Sequence, residues 1–331
     1  MHNKLLYLSG NDVHRVISGN YQMILDAVED AIVMLLNGTA KQPDKISQIL
    51  EEHYQNRINC MPATLEEVQT CGMKWVSVFP SNQAKGLSNV EGLSLISETV
   101  TGGVTCVMNS TECTSLRTAA VGALAAKYLA RKNTRTVGFI GAGEEARAHF
   151  RMIKHVYPAV DKCYVSSRTS QRVESFIEEL SREYSDVEFV HCGNDYRSAT
   201  MDADIIVTAI SSQAKVLKAE WIKTGALYIH VAGLEDEFAV AEMAEKIVCD
   251  SWECVKHRTQ TITQMYRAGL LTDADIYGDI GEIIVGRKNG REDDREFIYF
   301  NSVGLAAEDV LLSHRIYEKA QEMNIGTWLE K

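Results

Sequence analysis

Apolar side chains recur at three- and four-residue intervals in residues 18–38, SGNYQMILDAVEDAIVMLLNG, where Tyr21, Ile24, Leu25, Val28, Ile32 and Leu35 fall on one face. That spacing predicts an amphipathic helix, with Asn20 placed to cap it and Gly38 to close it. From there to about residue 110 the apolar runs are short. MKWVSVF and LSLISE, separated by Gly, Asn and Ser, read as strands of a β-containing first domain. The Ala- and Leu-rich stretch 111–131 favours helix and would link two domains. Beyond it the pattern becomes a regular alternation. Continuous apolar runs TVGFI, KCYVSS, EFVHC, DIIVTAI, ALYIHVAG and KIVCD are spaced by helical stretches such as 144–156 and 170–184. Strands of that kind belong in a parallel sheet covered on both faces, so the expected architecture is doubly wound α/β. The terminal strand EFIYFNS and long helix GLAAEDVLLSHRIYEKAQEMN exceed what that sheet requires, and the helix is expected to pack back on the first domain.

Composition narrows the function. The 331 residues are 45% apolar, enough for a sizeable core in two domains. The 34 basic and 45 acidic residues leave a net charge of −11, which argues against nucleic acid as a partner, since phosphate contacts need clustered cations. Cysteines 60, 71, 106, 113, 163, 192, 249 and 254 form no C-x-x-C pair and no His/Cys ligand spacing, so reduced thiols and no metal are expected. MHNKLLYLSGNDVHRV has no signal-like apolar core, and no run has the length of a membrane span. The expectation is a cytoplasmic protein without a membrane partner.

The most informative junction is RTVGFIGAGEEARAHF, residues 135–150. A diphosphate needs closely approachable backbone N–H groups and the positive end of a helix dipole. Gly141 permits the tight turn, Gly143 removes a blocking Cβ, and Ala146 lets strand and helix pack closely. The alternative is a plain tight turn, and Glu144 and Glu145 read as dipole-complementing acids. At the end of the next strand, where an NAD site offers an acid to the ribose hydroxyl, stand Ser166, Ser167, Arg168 and Thr169. Hydroxyls and a guanidinium suit a 2′-phosphate, so NADP(H) is favoured, with NAD(H) as the alternative.

A carboxylate substrate needs cations. The first domain offers Lys45 in QPDK, Arg57 in RINCMP, Lys74 in GMKWV and Arg117 in TSLRTAA. Lys74, centred in an apolar strand, is expensive to bury unless paired, whereas a snorkelling edge lysine is the bland reading. Arg117 in an Ala-rich helix is a surface residue by default. On the second domain ALYIHVAG is followed by Leu234, Glu235, Asp236 and Glu237, and one of these acids could act in proton transfer, the alternative being a solvated acidic loop. His230 reads as a satisfied buried histidine.

Taken together, GMKWVSVFPSN, TSLRTAAVGALAAKYLARKNTRTVGFIGAGEEA, GEIIVGRKNGREDD and FNSVGLAAEDV resemble the ornithine cyclodeaminase/mu-crystallin family over nearly the whole chain. The long second stretch resembles the family's alanine dehydrogenases, while QPDK, RINCMP and GREDD are similar to its dehydrogenase that releases diaminopropionate in siderophore biosynthesis. The resemblance implies a Rossmann domain at 117–305 and a mixed α+β substrate-binding and dimerisation domain at 1–116 and 306–331, completed by the C-terminal helix. It implies that Lys74 and Arg117, with Arg57 or Lys45, hold the substrate carboxylate. Thr118, Ala142, Gly143, Glu144, Ser167, Arg168, Thr208, Ala209, Ile210, Gly233 and Ser302 would lie along the coenzyme. Where the family carries its catalytic aspartate, this chain reads HVAG with Glu235 at the aligned place and Asp236 next, and one of the two is expected to shuttle a proton. The implied activity is NAD(P)-dependent oxidoreduction at the C–N bond of a small amino acid, imine or N-carboxyalkyl amino acid, by a homodimer. Cyclodeamination of ornithine, reduction of a cyclic ketimine, and non-catalytic ligand binding like that of mu-crystallin are the rivals.

Overall fold

The computed structural model describes residues 3–331 apart from 52, 54, 211 and 212 and the side chain of Gln83. The chain divides into two compact units, Met1–Arg117 with Gly304–Lys331, and Thr118–Val303.

The first unit carries strands β1 (Lys4–Leu8), β2 (Ala40–Lys41), β3 (Ile46–Glu51), β4 (Asn56–Leu65), β5 (Thr70–Val78), β6 (Val90–Glu98) and β7 (Val104–Asn109). Helices α1 (Gly10–Ile17) and α2 (Tyr21–Asn37) precede the antiparallel meander. The 18–38 pattern thus becomes α2. Asn20 does not cap it with its side chain, because its amide turns back to donate to Val16 O. Gly38 does end it, in the left-handed conformation at φ 76°. The sheet runs β16-β1-β7-β6-β5-β4-β2, with β3 also on β4; β16 (Thr327–Glu330) is the last strand of the chain. Burial alternates along the strands, as in BiiBiBiBiB over β4, because one face lies under the C-terminal helix Ala306–Glu322, which packs on β4, β5 and β6. Met61, Ala63, Leu65, Lys74, Val76, Ser94, Ile96 and Met108 belong to that buried face.

Helix α3 (Thr111–Leu129) contains the boundary at Arg117/Thr118. The second unit then alternates β8 (Thr136–Ile140), α4 (Glu144–Val156), β9 (Lys162–Ser166), α5 (Ser170–Glu183) and β10 (Glu188–His191). It continues with β11 (Ile205–Thr208), β12 (Leu227–His230), β13 (Lys246–Cys249), β14 (Gly278–Asp279) and β15 (Ile298–Asn301). The order β10-β9-β8-β11-β12-β15-β13-β14 is parallel throughout. This is a doubly wound Rossmann-type sheet, whose strand order reverses beside β8. Strands β11, β12, β13 and β15 are buried at every residue, which is why their sequences are continuously rather than alternately apolar. Among the described residues no helix is long and apolar enough to cross a membrane.

Candidate functional site

Two features stand out, one in each unit. In the second, the turn 141–143 joins β8 to α4. Gly141 has φ 114°, and a Cβ there would lie 2.3 Å from the carbonyl oxygen of Ala209, so both its conformation and its surroundings require glycine. Its N–H donates to Ser166 O at 2.9 Å, and Arg147 Nη1 donates to Ala142 O at 2.7 Å, which fixes the turn from both sides. Gly143 is the N-cap of α4 without a side-chain acceptor, and nothing lies within 4 Å of the place its Cβ would take. An uncapped helix start with open space over a glycine fits a diphosphate. Ala142 and Ala146 are buried beneath it, and Glu144 points to solvent. At the end of β9, Ser166 is consumed internally, donating to Phe139 O at 2.9 Å. Ser167 is buried, whereas Arg168 and Thr169 are exposed, and Thr169 caps α5 without a side-chain hydrogen bond. Thr208 is buried at the end of β11, Ala209 and Ile210 follow half-buried, Gly233 is buried after β12, and Ser302 is buried after β15. Thr118 is half-buried on α3.

In the first unit, Lys74 from the middle of β5 is 1% exposed and Arg117 from α3 is 6% exposed. The two cations converge on one carboxylate. Lys74 Nζ donates to Asp309 Oδ1 at 2.5 Å and Arg117 Nε to the same oxygen at 2.8 Å. Glu308, next on the C-terminal helix, takes the N–H of Leu305 at 3.0 Å and lies 3.4 Å from Arg117 Nη1. Gly304 makes room for the guanidinium, because a Cβ there would come within 2.1 Å of Arg117 Nη1. Burial, reinforced by the charge of Arg117, pulls the Lys74 ammonium down to about 8, with Asp309 and Glu308 opposing it. Burial alone would raise Asp309, but Arg117 and Lys74 outweigh it and hold its carboxyl below the ordinary range. Ser94 stands directly opposite Lys74 in the β5–β6 register and is buried. Its Oγ and Asp309 Oδ2 have no hydrogen-bond partner among the described residues. Buried polar atoms left in that state are costly.

The expected cations therefore separate into two kinds. Lys74 and Arg117 are neither a snorkelling edge lysine nor a surface arginine; they share a buried counter-ion. Arg57 is half-buried on β4, opposite Val78 and so on the same face as Lys74, and its Nη1 donates to Gln55 O at 3.1 Å. Lys45 is half-buried in the stretch before β3. Asp309, Glu308 and Gly304 escape a reading of the sequence because acids on a long helix look like a solvated face. The only signal is the glycine that opens GLAAEDV and the pair of acids in the first turn of the helix.

Glu235 and Asp236 do not match the reading as a solvated acidic loop. They are 0% exposed, so they do not form a solvated loop. Nor does either present a free oxygen. Glu235 accepts from Thr208 Oγ1 at 2.8 Å, Ile210 N at 2.8 Å and Ala232 N at 3.1 Å. Asp236 accepts from Thr261 Oγ1 at 2.7 Å and lies 3.1 Å from the hydroxyl of Tyr299. His230 is buried, between Tyr299 OH at 2.7 Å and Gly233 O at 2.5 Å. Among the described residues no group of His, Cys, Asp and Glu could hold a metal ion.

A Rossmann-type sheet with an open glycine turn, together with a unit that buries two cations on a helix-borne aspartate, defines a nucleotide-binding class of protein. The model of the ornithine cyclodeaminase/mu-crystallin family matches residues 8–324, and the chain belongs to that family. It is 34% identical to the alanine dehydrogenase of Archaeoglobus fulgidus over 97% of each chain. The solved structure of Thermococcus litoralis Delta(1)-pyrroline-2-carboxylate reductase in complex with NADH and L-proline matches 98% of this chain and 99% of its own, with a TM-score of 0.92 and 33% identity. An archaeal alanine dehydrogenase dimer with bound NAD matches with a TM-score of 0.89 and 32% identity over 99% of each chain.

Proposed function

We propose that the protein is an NADP(H)-dependent oxidoreductase that interconverts a small α-amino acid and its α-imine. The observation that carries this reading is the buried pair of cations, Lys74 and Arg117, on the shared counter-ion Asp309. Two cations that share one carboxylate oxygen are able to hold a further carboxylate, that of the substrate, with Arg57 on the same sheet face as another anchor. Ser94 adds a hydroxyl beside Lys74. Lys74, brought down to about 8, exchanges a proton at the substrate nitrogen near neutral pH far more readily than an ordinary lysine. Holding the carboxylate from two directions fixes the α-carbon, which is the entropic part of the acceleration. The glycine turn 141–143 and the start of α4 would hold the coenzyme diphosphate, and the bound nicotinamide would supply or accept the hydride. That relatives act on alanine and on a cyclic imine of proline supports the reaction class.

The choice of coenzyme rests on the end of β9. Ser167, Arg168 and Thr169 stand where an acid would otherwise meet a ribose hydroxyl, and the exposed guanidinium suits a phosphate. Arg168→Ala should raise the KM for NADPH about tenfold to a hundredfold and leave that for NADH nearly unchanged, since a charge-assisted hydrogen bond contributes about 1.5–3 kcal/mol. Equal changes for the two coenzymes would remove Arg168 from the discrimination.

A second copy of the chain would cover the outer face of the first unit's sheet. The register sets Cys60 beside Trp75 and Trp75 beside Leu93, and the two large residues are 45% and 46% exposed. Met73 lies between Pro62 and Leu95 in the neighbouring row. A contiguous apolar stripe on a sheet face is a protein-binding surface, and an archaeal relative is a dimer. Leu93→Glu is expected to elute as a monomer in light-scattering chromatography, while an unchanged dimer would place the interface elsewhere.

The reaction itself is tested with NADP(H) and a panel of amino acids, cyclic imines and keto acids with ammonia. The expected result is a change in nicotinamide absorbance equal, mole for mole, to product formed. Release of ammonia and proline from ornithine with no net absorbance change would instead mean cyclodeamination, and tight coenzyme binding with no turnover across the panel would mean a binding protein.

A further inference from the structure

We propose that Glu235 and Asp236 are positioning residues: one buried network holds residues 232–237 against the carboxyl ends of β11 and β12, with Glu235 ionised and one proton shared by Asp236 and His230 through Tyr299. The proposal rests on reading the second unit as the coenzyme domain, because ligands of an open parallel sheet bind at the carboxyl ends of its strands.

Glu235 interlocks the segments that follow two neighbouring strands. Its side chain takes a hydroxyl from the last residue of β11, an N–H two residues later, and an N–H just beyond β12. Its own carbonyl accepts from Val216 N at 2.8 Å and Leu217 N at 3.0 Å, and Glu237 N donates to Leu217 O at 3.1 Å. Gln213 Oε1 accepts from Leu234 N at 3.1 Å, with its amide lying over Gly233. Three hydrogen-bond donors face the Glu235 carboxyl, and His230 Nε2 stands 3.5 Å from its Oε2; burial pushes this acid up, opposed by His230 and the donors, and only the ionised form satisfies all three donors in full.

Hydrogen counting fixes the rest. A hydroxyl has one hydrogen. That of Thr208 goes to Glu235, so Thr208 accepts from Tyr228, 2.8 Å away. Gly233 O can only accept, so His230 Nε2, at 2.5 Å, carries a hydrogen. Tyr299 OH then stands between His230 Nδ1 at 2.7 Å and Asp236 Oδ2 at 3.1 Å with one hydrogen for two neighbours. If Asp236 is protonated it donates to Tyr299, which donates to Nδ1; if His230 is doubly protonated both bonds reverse. Either way the chain holds one extra proton between them. Without it, an Asp236 anion would be buried among hydroxyls and a neutral imidazole with no cation to offset it. The groups facing Asp236 are Thr261 on the short helix Thr261–Arg267, Tyr228 and His230 on β12, and Tyr299 on β15, with Cys249 of β13 close to Tyr299. Burial pushes Asp236 up to about 7 and His230 below its usual value, which puts the proton on the aspartate side. Raising the pH above this range removes the proton and loosens the segment.

The test is coenzyme binding, titrated by NADPH fluorescence between about pH 6 and pH 9 with the full-length protein. Wild type should lose about tenfold in affinity across that range, a decade of affinity for each tenfold by which the coenzyme-bound form holds the proton more tightly than the free form. Asp236→Asn, whose amide can donate to Tyr299 and accept from Thr261, should bind with no such pH dependence. Tyr299→Phe, which cuts the chain of hydrogens, should also flatten the profile, at lower affinity. Glu235→Gln should bind about tenfold more weakly at every pH, because its amide N–H would face another N–H. A wild-type profile flat with pH, an Asp236→Asn profile identical to wild type, or a Glu235→Gln variant with unimpaired binding and loss of kcat alone would each overturn the proposal. These readouts need no turnover, so a protein that binds NADPH in this manner but converts no amino acid would contradict the proposed reaction and leave this inference standing.

Discussion

Replacing Lys74 with methionine should lower kcat by about a thousandfold or more while leaving NADPH binding intact. Methionine nearly matches lysine in length and suits a site that is 1% exposed, and Asp309 keeps its bond to Arg117, so the fold has what it needs to survive. What disappears is one arm of the proposed carboxylate clamp and the group proposed to exchange a proton at nitrogen. The pH dependence of the unaltered protein follows from the same residue. Oxidation of an amino acid needs the neutral amine of Lys74 as base, with Arg117 left as the charged arm on the carboxylate, so its kcat/KM should rise with pH through about 8; reduction of an imine needs the ammonium, so its rate should fall through the same range. Stopped-flow measurement of both directions checks the pair of slopes. A Lys74→Met variant with full turnover, or parallel slopes in the two directions, would remove Lys74 from proton transfer.

Removing Asp309 should be worse for the fold than removing either cation. It leaves Lys74 and Arg117 facing each other in a buried site with Glu308, 3.4 Å from Arg117, as the remaining acid. Taking one partner out of a buried ion pair costs about 3–5 kcal/mol, and Asp309→Ala is expected at that level in chemical denaturation. Asp309→Asn preserves the shape and should cost less, yet it too removes the charge that raises Lys74, so the inflection near 8 in the rate profile should move to lower pH. A variant as stable as wild type with an unmoved inflection would mean that the cations take their electrostatic setting from elsewhere.

Much of the second unit is legible from local pattern alone. Val137, Phe139 and Ile140 run into Gly141-Ala142-Gly143, and each step of that passage has a local cause: a strand buried on both faces, a glycine at φ 114°, a helix start without a capping side chain. The first unit is less so. Its edge pairs β1 with β16, segments at opposite ends of the chain, and β16 is too short and exposed to announce itself. The clamp has the same difficulty in sharper form. Arg117 reaches an acid 192 residues further on, so no window of sequence holds both members. Glu235 and Asp236 mislead for the opposite reason. They sit where strand ends carry chemistry, but their environment is supplied by Thr208, Tyr299 and Thr261, and nothing adjacent in sequence tells a buried carboxylate from a solvated one.

The most direct test of the central claim, that this chain moves a hydride between a nicotinamide and the α-carbon of an amino acid, is isotopic. The protein would be incubated with NADPH deuterated on either face of C4, together with pyruvate and ammonia or with Delta(1)-pyrroline-2-carboxylate, and the amino acid product examined by mass spectrometry. One deuterium at the α-carbon from one face of the coenzyme is the predicted result; an amino acid whose α-hydrogen comes from solvent, or no amino acid with any substrate of the panel, would contradict it.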